Sequence, residues 1–450
     1  MKQIGNAGII RVELNHINKG TSRILKDTIA VFRDVVSYLT HAACDHLEEV
    51  LPLSSFDETT FMDGLVHRTK NNPSPAYPEF DVLFRRLPSY IRRAANHAAC
   101  GQVRSHESNC DHYYAWRDDL VKRRHHVRKM EPGFSYTPNV FPTVYRDQSY
   151  SLEDNTISIK VWKNNSWQWI KVSAPARDLK RLAAAAAHGK VMNPKLVYAY
   201  RKYYLEFPVQ YKTSGFSKTP LYEQRVLGTD LGLNNGAVCS SVDAYGSIHG
   251  RHFSPFKEEM ARIDHIIGLI RKKSHTSGKG QSLSSLYTKL QGLKEDYCRR
   301  LARWIVDTAV SERVYGIVLE HLDKMKGHGR LSARIHNWCR AKIRDYISGM
   351  AFREGIRVFI INPKGTSMYA FDGSGLIVRD KKNFSKCTFV SGKQYNCDLS
   401  ASYNIGARYF LRTIKKSIPA TEWSQAVAKV PGLAKRTTWT LDTLKQAASA

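Results

Sequence analysis

Along this chain the spacing of apolar side chains changes repeatedly, and each change marks a different kind of element. GIIRVEL, at residues 8–14, alternates apolar and polar positions over a short run, which predicts a strand with no neighbour nearby in sequence. From about 20 to 135 the spacing becomes helical. Ile24, Ile29, Phe32, Val36 and Leu39 recur at helical intervals, the turn-rich NNPSPAYPE interrupts at 71–79, and RRLPSYIRRAANHAACGQVRS opens another helix. Between 139 and 215 the alternation of strands returns in TISIKVW, SWQWIKV and VYAYRKYYLEFPVQY, with a turn at Asn164 and Asn165 and a short helix, RDLKRLAAAAAH, ended by Gly189. A strand, a helical block and then more strands predict one small antiparallel barrel split by a helical domain. Its aromatics Trp162, Trp167, Trp169, Tyr198, Tyr200 and Tyr204 are expected to pack inside it rather than to stack on bases.

From 222 onward the order is strand, hairpin, helices, strand, helix, strand, helix. RVLGTDLGL runs into AVCSSVDAYGSIHGRHF; FKEEMARIDHIIGLIRKK carries Met260, Ile263, Ile266, Ile267 and Ile270 on one stripe, and Leu286, Leu290, Leu293, Tyr297, Leu301 and Trp304 continue the period on a second helix. VYGIVLEHL is a buried strand, IRVFIINP the next, and CDLSASYNIGARYFL is helical. The tail beyond about 415, with IKKSIPATEW and KRTTWTLDTLKQ, reads as helical or partly disordered and carries no functional signal.

Charge changes the picture most. Lys and Arg number 69 against 40 Asp and Glu, a formal charge of +29, and self-repulsion on that scale is matched to a polyanion, with nucleic acid as the leading partner. Lys122, Arg123, Arg124, Arg128 and Lys129, just after Tyr113, Tyr114 and Trp116, form the densest basic run, a candidate nucleic-acid contact or a solvated helix face. No apolar run approaches the roughly 18 residues of a spanning helix, so no membrane partner is expected. MKQIGNAGIIRVELN has no stretch of signal-peptide character and the eight cysteines are scattered without a CxxC pair, which together predict a cytoplasmic protein without disulfides, nucleoid-associated when bound to DNA.

Three acids occupy corresponding places in the α/β pattern. Asp230 lies in the first strand, Glu320 ends the strand VYGIVLE, and Asp398 begins the last helix. In a ribonuclease H-like sheet those elements lie side by side, so the carboxylates would converge and repel unless divalent cations sit between them. Two magnesium ions there could activate a water and stabilise the leaving oxygen of a phosphodiester. Each acid also has a structural alternative: Asp230 as a turn residue, Glu320 paired with Lys324, Asp398 as the helix N-cap.

GTDLGLNNGA, IVLEHLDKMKG and YNCDLSASYNIG resemble the three catalytic motifs of the RuvC domain in transposon-encoded TnpB proteins and the compact type V CRISPR effectors, and RIHNWCRAKIRDYISGMAFREGIRVFIINPKGTS resembles the family's segment after its glutamate motif. The resemblance is close over about 222–410; upstream it rests on organisation. It implies an α+β multidomain protein: a wedge β-barrel at 1–18 and 137–221, a helical recognition domain at 19–136, a ribonuclease H-like RuvC domain at 222–362 and 397–415, a target-nucleic-acid-binding insertion or lid at 363–396, and a tail at 416–450. It also implies a guide-RNA-directed endonuclease for double-stranded DNA, with Asp230, Glu320 and Asp398 as magnesium ligands. Arg379 and Arg408 are candidates to hold a scissile phosphate, and Lys381, Lys382, Lys386 and Lys393 are loop lysines that either contact the target strand or are merely solvated.

One departure concerns zinc. Most relatives carry two CxxC pairs between the second and third acids; here TSMYAFDGSG stands where the first would be, and Cys387 and Cys397 are all that remains of the second. Two thiolates without a histidine do not complete a tetrahedral site, so no structural zinc is expected. Two other functions stay open: an RNA-guided DNA binder that does not cut, and a ribonuclease H-like transposase or resolvase acting without RNA. The oligomeric state is open too, a dimer among the options.

Overall fold

The computed structural model describes the chain apart from residues 1–6, 71, 123, 125, 128, 135, 137–138, 214, 233–234, 277–282, 323–338, 384 and 450. It divides into two units, Met1–Tyr211 and Lys212–Ala450.

In the first unit the solitary strand β1 (Ala7–Glu13) finds its partner near the unit's end. Helices α1 (Lys19–Asp45), α2 (Leu47–Val50), α3 (Ser55–Val66), α4 (Phe80–Leu83) and α5 (Ser89–Lys122) follow it. Asn18 caps α1 by accepting from the Thr21 N–H at 2.8 Å. The stripe containing Ile29, Phe32, Val36 and Leu39 is buried, Ile29 against the β-strands and the others against α3 and α5. Six more strands and one helix come next: β2 (Tyr150–Glu153), β3 (Thr156–Lys163), β4 (Ser166–Ser173), α6 (Ala176–His188), β5 (Gly189–Val191), β6 (Lys195–Ala199) and β7 (Lys202–Tyr211) complete the unit. β1 runs antiparallel along β7 from Ala7 opposite Gln210 to Glu13 opposite Tyr204.

The expected single barrel is corrected to two sheets. One contains β1, β7, β5 and β6 and the other is β2-β3-β4, with only isolated bridges such as Asn15 to Ser173 between them among the described residues. Val12, Leu196, Leu205 and Phe207 of one sheet share a core with Ile157, Ile159 and Val161 of the other, so face-to-face burial does the work that closure would have done. Trp169, Tyr198 and Tyr200 lie on the outside, against the expectation that they pack within.

The second unit is built on a five-stranded sheet. Its strands are β8 (Arg225–Gly232), β9 (Gly236–Asp243), β10 (Ile248–Phe253), β11 (Gly316–Glu320) and β12 (Arg357–Ile361), in the order β10-β9-β8-β11-β12. The first three are antiparallel and β8, β11 and β12 are parallel. Helices α7 (Lys257–Thr276), α8 (Ser284–Ser311) and α9 (Arg340–Arg353) cover one face against Leu227, Leu231, Cys239, Ile317 and Leu319. Helix α10 (Cys397–Ser417) covers the other against Val226, Val238, Val242 and Val318. A small sheet of β13 (Val378–Arg379), β14 (Lys386–Thr388) and β15 (Gln394–Asn396) leads into α10.

The tail is neither disordered nor detached. α11 (Ala420–Lys429), α12 (Leu441–Ser449) and the segment between them bring Trp423, Leu433, Trp439, Leu441 and Leu444 into the core beneath α10. No helix among the described residues is long and apolar enough to cross a membrane.

Where α10 crosses β8, a Cβ on Gly228 would lie 2.2 Å from the Ser402 carbonyl oxygen and 2.7 Å from the Gly406 nitrogen. Both obstacles are backbone and cannot swing aside. Gly228→Ala is therefore expected to destabilise the protein by about 2–3 kcal/mol, read as a lowered Tm; an unchanged Tm would show that helix and strand are not in backbone contact.

Candidate active site

Alternation along the strands aims the first two acids. Val226 and Val318 face α10, and side chains two and four residues on share a face, so Asp230 and Glu320 also point toward α10. The parallel register sets Gly316 beside Val226 and Val318 beside Gly228; continued two residues further, it sets Glu320 beside Asp230. Asp398 follows from helical spacing. Ser402 and Gly406 lie on the stripe that meets Gly228, and Asp398 begins that stripe one turn earlier. Its aim agrees with Gly232, whose Cβ would lie 4.0 Å from an Asp398 carboxylate oxygen. All three acids keep partial exposure.

Asp398 does not cap its helix. Asn396 does, accepting from the Leu399 N–H at 2.9 Å, which leaves Asp398 in the first turn. There its carboxylate accepts from Asn235 Nδ2 at 2.8 Å. Asn235 is buried in the turn between β8 and β9, where its carbonyl accepts from the Ala237 N–H at 2.8 Å. Glu320 accepts from the hydroxyl of Thr366, which is itself buried. Among the described residues no hydrogen bond reaches the Asp230 carboxylate.

Burial pushes Asp230 well above the usual carboxylate range, the negative charges of Glu320 and Asp398 add to the shift, and Arg379 opposes it. Burial likewise raises Glu320 to about 7, against the Thr366 hydrogen bond and the charge of Arg408. The electrostatics thus join all three acids. Yet among the described residues no three His, Cys, Asp or Glu side chains are gathered into a group that holds a metal ion as it stands. Like charges repel, and Asp398 and Glu320 are each drawn to a neutral partner. The donor set itself suits a hard divalent cation, being carboxylate oxygen throughout.

The two candidate phosphate arginines part company. Arg379, on β13, is exposed and close enough to act on Asp230, with one guanidinium N–H donated to the Ser367 carbonyl at 3.3 Å. Arg408 is buried, and the phosphate role is corrected: it donates to the carbonyls of Trp439 at 3.0 Å, Thr437 at 2.8 Å, Lys364 at 2.8 Å and Asn362 at 3.2 Å. Four of its five N–H groups are thus taken by backbone carbonyls.

Of the basic run, Arg123 and Arg128 lie outside the described residues, as does Lys324. α5 ends at Lys122, Arg124 turns with a positive φ of 58°, and Lys122, Arg124 and Lys129 are exposed; the run is not one continuous helix face. The two cysteines of the insertion belong to an apolar core. Cys387 and Cys397 are buried, with thiols in contact, beside Ala370 and Phe389 and against Phe371 and Tyr395. Lys381, Lys382, Lys386 and Lys393 are exposed around it. Asn235 and Thr366 had no charge to draw notice; the one available sign was the turn-forming NNG after the first acid.

A carboxyl raised by folding stays protonated while its unfolded counterpart ionises, so Glu320 removes stability as pH climbs from about 4.5 to about 7. Glu320→Gln keeps an acceptor for Thr366. It is expected to raise the Tm of the EDTA-treated protein at pH 8, by a gain on the order of 1–3 kcal/mol, and to change it little at pH 4.5. Equal melting at pH 8 would mean that the carboxylate is well solvated.

The Aq_aa04 family matches residues 8–163. The TnpB-like protein aq_aa05 of Aquifex aeolicus (strain VF5) is 25% identical over 212 residues, 42% of this chain and 67% of that protein. The mini-RNA-guided endonuclease CRISPR-Cas phi3 has a similar structure, with a TM-score of 0.51 at 11% identity over 90% of this chain and 92% of that one. CasPhi-2 (Cas12j) bound to crRNA and phosphorothioate-DNA gives 0.46 at 11% identity over 90% and 91%. A relative named for TnpB and a shared fold thus stand behind the resemblance carried by the three motifs.

Proposed function

We propose that this chain, which resembles the TnpB proteins and compact type V effectors, is a guide-RNA-directed DNA endonuclease whose ribonuclease H-like domain cuts at Asp230, Glu320 and Asp398. The observation that carries this is the placement of three acids on the α10 side of the sheet, Asp230 and Glu320 on adjoining parallel strands and Asp398 on the helix, with the charges of Glu320 and Asp398 bearing on Asp230. A TnpB-like relative and the fold shared with an RNA-guided endonuclease support it.

Asp230, Glu320 and Asp398 would hold two magnesium ions. Bound there, the ions supply a nucleophilic water at neutral pH and charge stabilisation for the leaving oxygen. The protein's part is to fix the ligands: Asp230 by its central strand, Glu320 through Thr366, Asp398 through Asn235. Arg379 stands beside the acids, where a phosphate would need a cation. The charge of +29 suits guide RNA and duplex DNA together, with base pairing reading sequence and the protein reading shape. The two sheets and helices of the first unit take the places of wedge and recognition domains.

A second reading, RNA-guided binding without cutting, draws on the fact that among the described residues no three His, Cys, Asp or Glu side chains form a group that could hold a metal ion. One experiment separates the two. Purified ribonucleoprotein, carrying the RNA with which it copurifies, is given matched duplex DNA and magnesium. Cut strands support the nuclease, stable binding without any cut supports the binder, and cutting by protein without discrete RNA points to a transposase-like enzyme. Asp230→Ala is expected to lower cutting at least about a thousandfold while RNA and DNA binding stay within about twofold; joint loss of binding and folding would make Asp230 a structural residue.

A further inference from the structure

We propose that Thr366 is a positioning residue for Glu320, and that Asn404 and Arg408 make the C-terminal segment around Thr437–Leu441 part of the support that holds it in place. This rests on the nuclease assignment, but the contacts stand apart from it.

Thr366 is buried, and its hydroxyl is shared between the Glu320 carboxylate and the Pro363 carbonyl, the latter at 2.8 Å. A threonine on an irregular loop orients a strand-end carboxylate only if the loop is itself fixed. Two α10 side chains fix it. Asn404 Nδ2 donates to the carbonyls of Thr366 at 3.1 Å and Tyr369 at 2.9 Å, while its Oδ1 accepts from the Leu441 N–H at 3.0 Å. Four residues on, Arg408 binds the loop through the Asn362 and Lys364 carbonyls and the tail through those of Thr437 and Trp439.

Loop and tail also touch directly. Gly365 has a positive φ of 84°, and a Cβ there would lie 2.2 Å from the Thr437 carbonyl oxygen. Asn404 and Arg408 are both buried and both bridge the same two segments, a costly arrangement for packing alone, since apolar side chains would fill the space without needing partners. The path runs from tail to α10 to loop to Thr366 to Glu320. Outer partners that orient a metal-binding carboxylate typically affect metal affinity about 10–100-fold.

The test is Mn2+ binding to the full-length protein, followed by the loss of the free-ion EPR signal, with Tm recorded alongside. Thr366→Val, which keeps the shape and removes the hydroxyl, should weaken Mn2+ binding about tenfold or more, and Thr366→Ser should restore it to within about threefold of wild type. Arg408→Lys keeps the positive charge near Glu320 but cannot span four carbonyls, and should weaken Mn2+ binding severalfold. Wild-type affinity in Thr366→Val, or a loss that serine does not restore, would overturn the role of Thr366. A lowered Tm in Arg408→Lys with unchanged Mn2+ affinity would overturn the role of the tail. Wild-type protein that takes up no Mn2+ would instead bring down the nuclease assignment itself, and this inference with it.

Discussion

Helix α10 lies on strand β8 backbone to backbone, and the chemistry of the second unit depends on that contact. Gly228 leaves room for the Ser402 carbonyl and the Gly406 nitrogen where any side chain would collide. With the helix seated so closely, its stripe of residues at four-residue intervals faces the strand, and Asp398 heads that stripe over Asp230. A looser helix, standing off by the usual thickness of a side-chain layer, would carry its first turn away from the strand ends and separate the third acid from the other two. The contact also brings Asn404 and Arg408 within reach of backbone carbonyls on both sides.

Burial of charge is the cost of this arrangement. Asp230 is held among protein groups without a hydrogen-bond partner among the described residues, and burial together with its acidic neighbours favours its protonated form. A core strand that carries such a residue would be more stable with an apolar one, and stability is often lowest where function is concentrated. The surroundings answer the strain locally: Asn235 and Thr366 bind two of the acids as neutral donors, while the charges of Arg379 and Arg408 act on Asp230 and Glu320 respectively.

What could be read from the amino acids followed the range of the interaction. The aim of Asp230, Glu320 and Asp398 rests on two-residue and four-residue periods, which are local, and it was legible. Closure of the first unit's strands was not, because whether β4 joins β1 along its length or by a single bridge depends on long-range register rather than on alternation. Arg408 looked like a phosphate ligand because arginines are usually exposed; its partners are carbonyls 29–46 residues away, which no local pattern reveals. Asp398 looked like a helix cap, and the neighbouring Asn396 took the role. In the small insertion, Cys387 and Cys397 line an apolar core with Phe389 and Ala370, a packing role that their spacing does not announce.

The pairing of β1 with β7 has a consequence for how the protein is made. Leu14 bonds to Tyr203 and Ala7 faces Gln210, so β1 leaves the ribosome long before the strand that completes it. At roughly 5–20 residues per second the wait lasts on the order of 10–40 seconds, with the backbone edge of an apolar strand unpaired throughout. The helices between them pack chiefly on one another and can settle before β7 is made. A nascent chain halted before Tyr211 would therefore present a folded helical block flanked by a sticky loose end, the form in which a chaperone would meet it.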